Sequence, residues 1–161
     1  MCWVLYLGLP DFAEVARLYL DGTAVDKALD LTALDLPDRS VDVLLCSHVL
    51  EHIVDDRKAM AEICRVLRDE GWALVNVPSD PRRDSTYEDW SITTSEERLK
   101  AFGQQDHVRI YGSQDFMSRL RDAGLTVIRD PVTFSEADRR RYLLDGDAGW
   151  DHSYLCRRHD R

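Results

Sequence analysis

The segment Val41-Asp42-Val43-Leu44-Leu45-Cys46-Ser47-His48-Val49-Leu50-Glu51-His52 constrains this chain most, because a nearly unbroken apolar run ends there in a polar corner. Apart from Asp42, Val41 to Leu45 has no polar position, as expected of a strand buried on both faces of a parallel sheet. A parallel neighbour cannot be reached by a tight turn, so a long crossover must follow. Asp55 or Asp56 can cap a helix running to about Leu67, with Met60, Ile63, Cys64 and Leu67 at i, i+3, i+4 and i+7 as its buried stripe. Gly71 then supplies a left-handed residue that stops the helix, Trp72 to Val77 forms the next strand, and Pro78 ends it. The whole reads as one right-handed βαβ unit.

The flanking sequence continues the alternation. Val4 to Leu7 reads as a short buried strand broken by Gly8-Leu9-Pro10, followed by a brief helix from Asp11 to about Arg17. Leu18-Tyr19-Leu20 is a second strand ending at Asp21-Gly22, and a third around Lys27-Ala28-Leu29 ends at Asp30. Thr32 to Ser40 is a polar connection with Pro37-Asp38 as its turn. Beyond the βαβ unit, Thr94-Ser95-Glu96-Glu97 is a capping box for a helix through Phe102 that Gly103 closes. Ser113 starts another helix with Phe116, Met117, Leu120 and Ala123 inward; Gly124 stops it, and Leu125 to Ile128 is a strand. A helix from Ser135 and a terminal strand at Tyr154-Leu155-Cys156 complete the pattern. Such alternation predicts one α/β domain over 1–161: a doubly wound, Rossmann-like, mostly parallel sheet with helices on both faces and a C-terminal antiparallel strand.

Composition narrows the functions available. A net charge of -9 argues against a protein that grips a nucleic acid duplex through its phosphates. No apolar run is long enough to span a bilayer, and the N-terminus lacks a basic leader and a small-residue cleavage site, so the expected location is the cytoplasm. Cys2, Cys46, Cys64 and Cys156 are scattered without a C-x-x-C pair, which suggests neither a disulfide framework nor a zinc ribbon.

Asp30-Leu31, Leu36-Pro37, Ser40 to Leu45, His48 to His52 and Arg65-Val66-Leu67 with Gly71 together resemble the class I S-adenosylmethionine-dependent methyltransferases of the small type 11 kind. The likeness is dense from Asp30 to Pro78. It thins toward Ile128 through Phe102 to Gln104, Asp106 to Gly112 and Arg119 to Gly124. The resemblance implies a crevice at the carboxyl ends of the strands, where S-adenosylmethionine binds. It implies Gly8 in the loop after the first strand, Asp21 on the ribose hydroxyls, Asp30 and the Leu31 amide on adenine, and Cys46, Ser47 and His48 beneath the methionine portion. Asp42 matches a structural position of the family. The first loop departs from the family pattern: Leu7-Gly8-Leu9-Pro10 has one glycine where a G-x-G-x-G segment is usual, and its proline has no N–H to donate. The family's N-terminal covering helix is also not represented, so an N-terminal segment beyond this start, or a partner subunit, is expected to cover the cofactor.

Methyl transfer depends chiefly on alignment and needs a base only if the acceptor must lose a proton. His107, with Asp106 to orient it, is the candidate base, and Arg109 is the candidate grip on an anionic acceptor, expected to be a small molecule rather than nucleic acid. His48-Val49-Leu50-Glu51-His52 also spells H-x-x-E-H, a zinc peptidase signature, but that signature belongs on a continuous helix and His48 follows a buried strand too closely. No metal site is therefore expected. The alternative to an active methyltransferase is a non-catalytic or truncated protein of the same fold.

Overall fold

The computed structural model describes residues 3–7, 29–80, 82–129 and 151–159. Seven strands are assigned among them: β1 (Trp3–Leu7), β2 (Val41–Ser47), β3 (Leu67–Asp80), β4 (Tyr87–Glu88), β5 (Arg109–Gly112), β6 (Leu125–Arg129) and β7 (Asp151–Arg158). The helices are α1 (Asp56–Val66), α2 (Ser95–Phe102) and α3 (Ser113–Asp122), with a 3-10 turn at Leu50–His52. No helix among the described residues is long and apolar enough to cross a membrane. The stretches read as a helix at Asp11–Arg17, strands at Leu18–Leu20 and Lys27–Ala28, and a helix from Ser135 lie outside the described residues.

Where the local signals are strong, the elements form as expected. Asp55 caps α1 by accepting from the Lys58 amide, and Ala59, Met60, Ile63, Cys64 and Val66 are buried. Fully burying each larger apolar side chain contributes about 1.5–3 kcal/mol. Thr94 and Glu97 form the reciprocal capping box of α2, and Gly103 closes that helix at φ 83°. Phe116, Met117 and Leu120 turn inward on α3, and Gly124 ends it at φ 90°. Phe116 lies between Tyr111 and Tyr154, with ring centroids 4.5 and 4.9 Å away.

The sheet itself corrects the expectation of a mostly parallel arrangement. Only β2–β3 and β3–β5 pair in parallel; β1–β2, β3–β7, β6–β7 and β4–β5 are antiparallel. The C-terminal antiparallel strand is as expected: β7 lies between β3 and β6. β1 is not parallel to β2, for Trp3 faces Ser47 and Leu7 faces Val43. A short apolar strand satisfies its backbone equally well in either direction, so its composition does not encode that choice. Helices on both faces were also expected. Among the described residues α1 and α3 lie side by side, linked by Arg57 to Asp122 and Arg119 to Asp56.

β3 holds two further corrections. It runs on through Pro78 to Asp80 because the strand changes neighbour there: Pro78 faces Asp151 of β7, whereas Ser79 and Asp80 pair with Tyr111 and Gly112 of β5. A residue without an N–H is tolerated where one ladder ends and another begins. At its start, α1 stops at Val66 and Leu67 is already extended, so Gly71 is not a left-handed helix cap. It lies instead in the irregularity between the Val41–Leu67 and Val43–Trp72 pairs. A Cβ there would stand 2.7 Å from the Val41 carbonyl oxygen and 3.1 Å from the Arg68 backbone. Gly71→Val should therefore destabilise by about 1–3 kcal/mol through overpacking, read as a lower denaturation midpoint. An unchanged midpoint would show that the bulge can open at no cost.

Candidate functional site

The polar corner forms where β2 runs out. Ser47 still pairs with Asn76 of β3, and the His48 amide donates to the Asn76 carbonyl at 3.0 Å. His48 then turns with φ 54°, a left-handed conformation that is uncommon outside glycine, although histidine adopts it more readily than most other residues. Leu50 and Glu51 of the 3-10 turn are buried. The Glu51 carbonyl accepts from the Val108 amide at 2.9 Å, tying this corner to the segment before β5.

That tie assembles a cluster whose full membership the sequence pattern did not indicate. The Glu51 carboxylate, 1% exposed, has His48 Nδ1 at 3.4 Å, His52 Nε2 at 3.9 Å and His107 Nε2 at 4.0 Å from its Oε1. The His52 and His107 rings meet edge to face, with centroids 4.7 Å apart. His52 Nδ1 lies 3.3 Å from both Asp106 Oδ2 and the Asp106 carbonyl. Asp106 therefore orients His52 rather than His107, and Glu51 is the carboxylate that faces His107. Burial, reinforced by the His52 imidazole, pushes His107 down to about 4. A buried imidazole that weakly basic stays neutral near neutral pH. Glu51 and His52 had a readable signal in the H-x-x-E-H spelling; their meeting with His107 depends on the fold.

Arg109 is likewise buried. Its guanidinium is 1% exposed and donates to Glu88 at 2.7 Å, the Leu50 carbonyl at 3.0 Å and the Val54 carbonyl at 2.9 Å, with the Ile53 carbonyl also accepting. Arg119 adds bonds to Asp56 at 2.9 Å, Glu88 at 2.8 Å and Asp115 at 2.9 Å, and the Tyr111 hydroxyl donates to Asp56 at 2.8 Å. Arg109 is thus a buried tie between the corner, β4 and β5, with its guanidinium engaged by Glu88 and the carbonyls of Leu50, Ile53 and Val54. Burial pulls the Glu88 carboxyl up, but the Arg119 hydrogen bond and the charges of Arg109 and Arg119 outweigh it and hold it below the ordinary carboxylate range.

The expected cofactor positions divide into three groups. Gly8 and Asp21 lie outside the described residues. Leu31 and Cys46 are buried among the core side chains, so only their backbones can face a ligand. Asp30 is exposed, and its carboxyl is held low by the Thr32 amide and then the Thr32 hydroxyl, each 2.8 Å from Oδ1. Both bonds fall on one oxygen of a carboxylate that has two, so the ionised group can accept a donor from outside. Ser47 and His48 are half-buried at the corner. An open depression of about 550 Å³, lined by Ser95, Leu99 and Gly103 to Asp106, adjoins the cluster through Asp106.

Residues 10–75 match the family model described as a methyltransferase domain. A probable S-adenosylmethionine-dependent methyltransferase of Mycolicibacterium smegmatis is 30% identical over 153 residues, covering 91% of this chain and 58% of the relative. The chain thus spans little more than half the length of that curated relative. A Bacillus subtilis methyltransferase, YcgJ, is 40% identical over 55 residues, or 32% of this chain and 22% of YcgJ. The solved YcgJ structure superposes with a TM-score of 0.58 at 17% identity, covering 95% of this chain and 80% of that one. A Haloferax volcanii putative methyltransferase solved in complex with its Trm112 activator gives a TM-score of 0.56 at 18% identity, covering 95% of this chain and 70% of that one.

Proposed function

We propose that this chain is a class I S-adenosylmethionine-dependent methyltransferase, as the matched segment and the Mycolicibacterium relative support, and that it transfers a methyl group to a small-molecule acceptor at the carboxyl ends of β2 and β3. The observation that carries the reading is the corner at Ser47 and His48, inside the matched segment, where a buried strand ends and the backbone is held in a left-handed turn beside Asn76. Open α/β sheets bind ligands at such strand ends.

The described residues fit part of the cofactor. Asp30 is ionised, exposed and able to accept from the adenine amine, with the Leu31 backbone beside it. The backbone of Cys46 to His48 supplies a floor for the methionine portion, and the reading includes Asp21 on the ribose and Gly8 in the first loop. When bound, S-adenosylmethionine supplies an electrophilic methyl group on a sulfonium. The protein's contribution is to orient the acceptor in line with it and exclude water, and alignment of that kind can lower a barrier by about 7–11 kcal/mol. No fixed base is assigned. The net charge of -9 favours a small acceptor over nucleic acid. We read 1–161 as one cytoplasmic domain whose cofactor is covered by a further segment or a partner subunit. The likeness to the Haloferax protein seen with an activator supports the partner.

A second reading, a protein of this fold without catalysis, is favoured by the direction of β1. Leu7, the residue before Gly8, is level with Val43, at the opposite end of β2 from Ser47. Titration calorimetry with S-adenosylhomocysteine separates the two. Methyl transfer predicts one site per chain, weakened about tenfold or more in Asp30→Ala as a charge-assisted hydrogen bond is lost. Equal heats for both proteins would remove Asp30 from the site, and no binding by the parent chain would leave the non-catalytic reading.

A further inference from the structure

We infer that Glu51, His52 and His107 form a site for one divalent transition-metal ion of the zinc class, with His48 on its open side. Two imidazole nitrogens and one carboxylate oxygen are a set that zinc accepts when a fourth position is left open. The three ligand atoms lie within 4.8 Å of one another. At zinc distances tetrahedral ligand atoms are about 3.3 Å apart, so from 3.9 and 4.0 Å each imidazole must close on Glu51 by roughly 0.6–0.7 Å.

The surroundings of the ligands point the same way. A ligating histidine normally gives its other ring nitrogen to a carboxylate or carbonyl, which fixes the ring and leaves its lone pair on the metal side. His52 has that arrangement: Nδ1 lies 3.3 Å from the Asp106 carboxylate while Nε2 faces Glu51. His107 likewise turns Nε2 to Glu51. The edge-to-face meeting of the two rings lets both nitrogens approach one point.

This revises the expectation of no metal. The H-x-x-E-H spelling suggested a pair of histidines on one helix with Glu51 as base, whereas the structure puts Glu51 among the ligands and brings the second imidazole from the segment before β5. The inferred ion would join two parts of the chain beside the strand ends. It does not depend on methyl transfer, and its test reads metal uptake alone.

The chain should be stripped with chelator and titrated with zinc sulfate by calorimetry, then with cobalt(II), whose visible absorption reports tetrahedral coordination. One ion per chain is expected, with a rise in thermal midpoint of roughly 5–10 °C at a hundredfold excess over Kd. His52→Gln and His107→Gln should abolish the cobalt bands and the midpoint shift. Asp106→Asn, at an exposed position that touches the ligand His52 and no metal, should weaken uptake about 10–100-fold with the fold intact by circular dichroism. The inference is overturned if the parent chain takes up no zinc, or if uptake is the same in the glutamine variants as in the parent. If those variants do not fold, a parent chain whose bound cobalt(II) lacks the intense tetrahedral bands overturns it. The cluster would then be an imidazole–carboxylate latch.

Discussion

Arg109→Met is expected to destabilise the protein by about 3–5 kcal/mol, the cost of removing one partner from a buried ion pair. The buried guanidinium bridges Glu88 and the carbonyls of Leu50, Ile53 and Val54, and a methionine fills the space without supplying a donor. Chemical denaturation should show the midpoint falling while ligand-binding heats, where measurable on the folded variant, stay close to those of the parent. The opposite pattern, an unchanged midpoint with weakened binding of an anionic acceptor, would place Arg109 at the substrate instead. Acid gives a related signature. Glu88 titrates below its ordinary range in the folded chain, so its contribution is fully present above the unfolded value and is lost as pH falls through the lower folded one. With Arg109 gone, the Glu88 shift shrinks and this acid-sensitive share of stability should diminish.

Phe116→Ala should cost a similar amount, about 3–5 kcal/mol, by a different route. Phe116 is fully buried, with the Tyr111 and Tyr154 rings on either side, so truncation opens a cavity where α3, β5 and β7 converge. Each aromatic pair lost adds about 0.5–1.5 kcal/mol beyond the buried area. Phe116→Leu, which keeps most of the volume, should lose much less. Equal losses in the two variants would mean that ring geometry, not the cavity, dominates.

These sites also show how much the sequence could disclose. The helix stripe of Met60, Ile63 and Cys64, the Thr94–Glu97 box and the left-handed stops at Gly103 and Gly124 are local devices, each complete within a few residues, and all form as expected. The β6–β7 pairing is also as expected. What stayed hidden depends on neighbours distant in sequence. Gly71 looked like a helix cap but is excluded from bearing a side chain by the Val41 carbonyl, and Pro78 looked like a strand end although β3 only changes partner there. Likewise an arginine two residues after a histidine gives no warning that Glu88 and Asp56 will enclose it. At the candidate site the corner and its histidines were visible in the text of the chain. Which carboxylate serves which imidazole was not, because Asp106 and Glu51 are assigned by the Glu51–Val108 backbone bond.

The position of β7 bears on the kinetics of folding. Pro78 pairs with Asp151 and Trp72 with Arg157, so the interior of the sheet joins segments more than seventy residues apart. Loop closure over such a span opposes pairing until late, and non-local strands of this kind make folding slow. On a ribosome, β3 and β6 both emerge before the strand that separates them, so each must wait with one edge unpaired. Naked edges invite pairing with other chains. The interval between synthesis of Arg129 and Arg158 is therefore when this protein has the greatest need of dilution or a chaperone, and a chain interrupted before Asp151 would carry that exposure permanently.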